Sequence, residues 1–180
     1  MSKTPFLAGA LARRLTHDLA GPLAALVTIS DLAPDPDPLL AQAIAELRAR
    51  HALARLLFGG EPTSPFDRRE TQSLLAAHLA SRDHSLDISL PEQDRPARGT
   101  LALCLAASDR LMGAGAIIAT PDAVTVAGRH RPTDDLLVAA LTTGTTADPN
   151  LAPAAFAAAL LGPLCVATTR TGLAFSAVAP

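Results

Sequence analysis

The five residues Pro34-Asp35-Pro36-Asp37-Pro38 constrain this chain more than any other stretch. Each proline lacks an amide hydrogen and locks φ, so no helix can run through them. The closing Asp37-Pro38 pair is a carboxylate N-cap with Pro at the first helical position. One helix must stop here and another start. Upstream, Thr4-Pro5 carries the same start signal and predicts a first helix over about 5–32. Downstream, Leu40, Ile44, Leu47, His51, Ala54 and Phe58 are spaced 4, 3, 4, 3, 4 and lead to Gly59-Gly60, a heptad seam with a stop signal. Two long helices with a short connection make an antiparallel hairpin. A hairpin cannot enclose a core alone, and a second copy is its simplest partner. Residues 1–61 are therefore expected to be a helical hairpin that forms a dimeric four-helix bundle, with His51 partly buried on its seam.

Glu61-Pro62-Thr63-Ser64-Pro65 reads as a linker, after which the pattern alternates. It predicts helix over 67–81, strand 85–90, helix 99–112, strands 116–120 and 123–128, helices 134–141 and 153–162, and strands 164–169 and 173–178. The last two flank a turn at Thr171-Gly172. Gly113 and Gly115 are expected to end a helix. Helix and strand interleaved in this way imply a two-layer α/β domain over 66–180, and the whole chain is of α+β class.

Composition narrows the function. A chain that is 49% hydrophobic and 18% charged can bury a core. A net charge of -2 and 3% aromatic residues, all Phe, provide neither a basic surface for a phosphate backbone nor platforms for stacking bases. Nucleic acid is excluded as a partner on that ground. Cys104 and Cys165 lie in apolar runs without His or Cys at metal-ligand spacing, and both are read as buried reduced thiols. No sustained apolar region precedes Arg13-Arg14, and the run Leu151–Leu161 is broken by Pro153. A cytoplasmic protein with no membrane segment is expected.

His17 is the candidate reactive residue. On a wheel of 100° per residue, Ala8, Leu15, Leu19 and Leu26 fall within about 20° of the pole opposite it, so His17 is expected on the solvent face. Its companions there are Ala10, Arg13, Arg14, Gly21, Ala24 and Thr28, a shelf of small residues with two arginines one turn earlier. Such a surface admits another protein closely. Asp18 supplies a carboxylate beside the imidazole, and Pro22 withholds an amide from the carbonyl of Asp18, which loosens the helix just after the His. A neutral imidazole can accept a phosphoryl group near pH 7 without a strong base.

These residues carry a resemblance. His17-Asp18-Leu19-Ala20-Gly21-Pro22-Leu23 resembles the phosphoacceptor box of two-component histidine kinases. The longer stretch Leu11 to Leu26, LARRLTHDLAGPLAAL, is similar to the dimeric bacterial histidine phosphotransferases of alphaproteobacterial phosphorelays, which are built like a kinase that has lost its ATP site. The likeness extends to Ala52–Gly59 and to Leu101–Thr120. It implies a degenerate kinase-like second domain and a homodimer that relays phosphoryl groups through a phosphohistidine at His17. Its implied partners are response-regulator receiver domains and the receiver of a hybrid kinase, with docking at Arg13, Arg14, Gly21, Ala24 and Thr28. The pattern departs at Gly21, where many kinases carry Thr, Asn or Gln to assist dephosphorylation, so it implies no phosphatase role there.

ATP chemistry needs phosphate and metal ligands. The helix expected over 99–112 has no Asn, the chain's one Asn is Asn150, and no Asp-x-Gly-x-Gly or Gly-x-x-x-x-Gly-Lys occurs. No ATP, no cofactor and no metal are expected, Mg²⁺ belonging to the receiver alone. His78, His84 and His130 stand near no nucleophile motif. The alternative reading is a non-catalytic dimeric adaptor that binds receivers or a kinase and regulates them by occupancy.

Overall fold

The computed structural model describes residues 66–178 throughout, together with 38–58 and positions 14, 18–19, 21–22, 24–26 and 28. The described positions between 14 and 28 are helical. Then follow α1 (Pro38–Phe58), α2 (Arg68–Ala80), β1 (His84–Ile88), α3 (Asp94–Ser108), β2 (Leu111–Ala119) and β3 (Ala123–His130). The chain continues through α4 (Asp135–Thr143), a 3₁₀ turn (Pro149–Leu151), α5 (Ala152–Leu161), β4 (Leu164–Thr168) and β5 (Gly172–Ala177). Local chemistry explains the starts. Asp67 accepts a hydrogen bond from the amide of Glu70 at 2.8 Å and Asp134 one from the amide of Leu137 at 2.8 Å, each capping its helix.

The strands form one mixed sheet in the order β1-β2-β3-β5-β4, with β1 parallel to β2 and the other pairs antiparallel. Two cross-strand rows build the buried face. Leu86, Ile117, Val126 and Leu173 lie side by side, as do Ile88, Ala119, Val124, Phe175 and Val166. Alternation along each strand sends Asp87, Ile118, Thr125 and Ala174 to the other face. Against the buried face lies α3, enclosed from Ala97 to Ser108. Its outer side is covered by α5, whose Ala152, Ala154, Ala155, Ala157 and Ala158 are buried.

The structure corrects the expected fold. The described residues form a mixed α/β protein around a five-stranded sheet, and no N-terminal hairpin bundle is present among them. The physical reason lies in α1. Among its described side chains the most buried are Leu53 and Leu57, at 3% and 0% exposure, both members of the α/β core and both beside the heptad seam. Phe58 packs edge-on against Phe156 of α5 with ring centroids 5.0 Å apart. The α/β unit thus covers α1 directly, and the seam residue His51, expected to be partly buried, is exposed.

Three smaller expectations also change. Helix α3 ends at Ser108, and Gly113 and Gly115 lie within β2, where the pairing register with β3 shifts between Leu111 and Gly115. Gly113 has φ +103°, a conformation that suits such a bulge and that side chains other than Gly rarely adopt. Cys104 is buried, and burial pushes its thiol up to about 12, but Cys165 on edge strand β4 is exposed, facing Ser176 at 3.2 Å. Gly172 begins β5 rather than forming the turn: an added Cβ would sit 1.7 Å from the carbonyl oxygen of Val126. No described helix is long and apolar enough to cross a membrane.

Gly172→Ala should therefore part β3 from β5. The expected cost is about 2–5 kcal/mol, read as a lower urea midpoint by circular dichroism. A loss under about 0.5 kcal/mol would show that the strands are not held that closely.

Candidate functional site

The site begins where α3 ends. Ser108-Asp109-Arg110 follows a run of apolar residues, and Asp109 stops the helix as its C-cap. A carboxylate at the negative end of a helix dipole is unfavourable unless cations meet it. Two do. Arg14 donates from Nη2 to Asp109 Oδ2 at 2.6 Å, and Arg82 donates from Nη1 to Asp109 Oδ1 at 2.9 Å. Arg82 also reaches Ser108 Oγ at 3.1 Å, while Arg14 Nε donates to Asp18 Oδ2 at 2.8 Å. Arg14 is 9% exposed. Burial alone would lower its pKa, but Asp109 and then Asp18 outweigh that and hold it above the ordinary arginine value. One carboxylate at the end of α3 thereby ties the N-terminal segment to the turn between α2 and β1.

Beside this cluster lies a cleft of about 860 Å³. Arg14, Asp18, Gly21 and Pro22 line one side and Arg50 of α1 another. Arg110 comes from the turn between α3 and β2, and Arg131, Asp134 and Asp148 from the loops that precede α4 and α5. Arg110 bonds the carbonyl of Pro132 and lies 3.4 Å from Asp134. Arg50 pairs with Glu46 at 2.5 Å. No group of three or more His, Cys, Asp and Glu able to hold a metal ion occurs among the described residues.

No protein-family profile matches the chain, and no curated protein matches it. A solved structure of a bacterial phosphotransferase does, with a TM-score of 0.73 and 18% identity, over 99% of this chain and 98% of that one. The two share a fold.

Of the residues singled out in the sequence, His17 and Arg13 lie outside the described residues. Gly21, Ala24 and Thr28 are exposed, with Thr28 Oγ1 donating to the carbonyl of Ala24 at 2.9 Å. Asp18 is half-buried against Arg14. Arg14 is not on the open shelf where the wheel sets it but turned inward onto Asp109, since a partly shielded carboxylate attracts it more strongly than solvent does. Sequence reasoning missed Arg50, Arg82, Asp109, Arg110 and Arg131. They come from distant parts of the chain, and only Asp109-Arg110, a charged pair closing an apolar helix, left a local signal.

Two further histidines stand near the cluster. His84 is buried, its Nε2 3.1 Å from the carbonyl oxygen of Gly113, and its pKa is lowered by burial and then by Arg82. His78 on α2 is lowered to about 4, first by burial and then by Arg82 and Arg50, with Asp109 and Asp18 opposing. In the folded state it stays neutral where the unfolded chain takes up a proton. Stability contributed by neutral His78 should therefore be full above about pH 6.5 and fall as pH drops toward 4. Comparison of urea midpoints from pH 7 to 4 should show His78→Gln losing about 1–2 kcal/mol less than the parent protein. Parallel pH curves would overturn this account of His78.

Proposed function

We propose that this protein is a histidine phosphotransferase that carries a phosphoryl group between receiver-domain aspartates through His17. The full-length likeness in fold to a bacterial phosphotransferase carries this reading, because it gives the box His17-Asp18-Leu19-Ala20-Gly21-Pro22 a chemical context. The helical wheel groups His17 with Gly21, Ala24 and Thr28, and those three are exposed. A receiver needs that openness to bring its phosphoaspartate into line.

In the step itself, the lone pair of one imidazole nitrogen forms the N–P bond while the acyl phosphate P–O bond breaks. The receiver's carboxylate leaves, and the other ring nitrogen keeps its proton. Transfer to the second receiver reverses this with a new carboxylate as nucleophile. Mg²⁺ bound by the receiver stabilises the transferring group, so this chain supplies a placed nucleophile and a docking face. Asp18, held by Arg14 at 2.8 Å, is a fixed negative charge next in sequence to the His and favours the cationic character that grows on the ring. The packing of α5 over α3 supports relay over ATP-dependent phosphorylation, since α3 is enclosed where the kinase likeness would seat a nucleotide. A cytoplasmic site of action accords with receivers as partners.

Incubation with radiolabelled phospho-receiver tests the proposal. The parent protein should acquire acid-labile, base-stable label and His17→Ala none, with unchanged melting, since the helical wheel sets His17 on the solvent face, where a side chain adds little to a core. Label retained in that variant would falsify the assignment. Ala24→Arg should keep the melting temperature within a few degrees but slow transfer on the order of 100-fold by holding the receiver off by about 1 Å. Wild-type transfer by that variant would mean the receiver docks on another face.

A further inference from the structure

The cleft beside Asp109 holds a one-sided surplus of hydrogen-bonding capacity. Its acceptors are engaged. Both oxygens of Asp109 receive guanidinium groups, Asp134 caps α4 and faces Arg110, and Asp148 accepts from the amide and the side chain of Asn150 at 2.9 and 3.1 Å. Its donors are not. The Nε atoms of Arg50 and Arg110 are buried and lack any partner, and the Arg131 guanidinium has no carboxylate partner among the described residues. Arg110 is only 9% exposed. A buried N–H on a charged group costs about 1–3 kcal/mol when left unmade, and among the described residues no acceptor meets the Nε atoms of Arg50 and Arg110.

We infer that this cleft binds a small phosphorylated anion, gripped by Arg50, Arg110 and Arg131. Three separate donors from three parts of the fold call for a ligand with at least three acceptor oxygens and more than one negative charge. A phosphate ester or diphosphate offers both, and guanidinium forks match its oxygens in pairs. The volume of about 860 Å³ lies within the range of about 300–1,000 Å³ usual for small-molecule sites. Bound there, the anion would touch the α/β unit and the residues facing the N-terminal segment together, so its occupancy would stiffen the junction that Arg14 and Asp109 already make. The proposal assigns no part to His17 and goes beyond the relay reading.

Calorimetry with inorganic pyrophosphate at low ionic strength, where screening is least, tests it. The full chain should bind with a dissociation constant below about 1 mM, and 10 mM pyrophosphate should raise the melting temperature by about 3–5 °C. Arg110→Gln removes a buried anchor and can disturb folding, so the exposed Arg131→Gln is the decisive variant. It should melt like the parent protein yet bind at least about 5-fold more weakly, a modest share of one charge-assisted contact. His17→Ala should bind pyrophosphate normally even as it loses phosphoryl acceptance, which separates this site from the relay. Absence of both heat and thermal shift at 10 mM pyrophosphate, an Arg131→Gln affinity equal to wild type, or equal affinity for citrate would overturn the proposal.

Discussion

The structure depends on one helix being enclosed on all sides. Residues Ala97 to Ser108 of α3 are buried without a break, which for a helix of ordinary residues would demand bulky neighbours all round. Here small side chains permit it. At Gly99 a Cβ would stand 2.7 Å from Leu161 Cγ, and the facing surface of α5 is mostly alanine. Close approach of two helices trades side-chain volume for backbone proximity, so the alanine excess is a packing device of this fold rather than only a helix-forming bias. The two apolar rows of the sheet then need cover only from α3 and its flanking helices, and α1 completes the layer with Leu53 and Leu57.

Because α3 is fixed so firmly, its C-terminus is a fixed electrostatic point. Asp109 adds a full negative charge where the dipole is already negative, and the fold answers with Arg14 and Arg82 from either side. These pairs are partly shielded from water, where removal of one partner costs far more than at a free surface. The orientation of the N-terminal segment relative to the sheet is therefore set in part by a side chain about ninety residues away in sequence. Beside this cluster, Arg50, Arg110 and Arg131 line the same cleft as Arg14 and Asp18.

The candidate site was only half legible in advance. The box from His17 to Pro22 stands out because its parts are consecutive, and local spacing reports which residues share a helix face. Gly21, Ala24 and Thr28 are exposed as that spacing requires. Arg14 is not, since the pull of Asp109 is a contact between distant residues that no wheel contains. The same holds for α1: the heptad seam marked a helix with the right ends, Pro38 and Phe58, but the neighbour that covers it decides which face is buried.

By itself the sequence determined where helices such as α1, α2 and α4 begin, because Pro and Asp act on the backbone within a few residues of themselves, but not where α3 ends or where β2 and β5 begin. It determined the alternation that separates the two faces of each strand and the exposure of the small residues Gly21, Ala24 and Thr28. Tertiary structure alone decided the strand order, the enclosure of α3, the burial of α1 against the α/β unit instead of in a bundle, and the meeting of Arg14, Arg82 and Asp109. Those outcomes rest on burial and on charge pairing between residues far apart in the chain. Such energies depend on distance in space, and a linear pattern of residues holds no record of it.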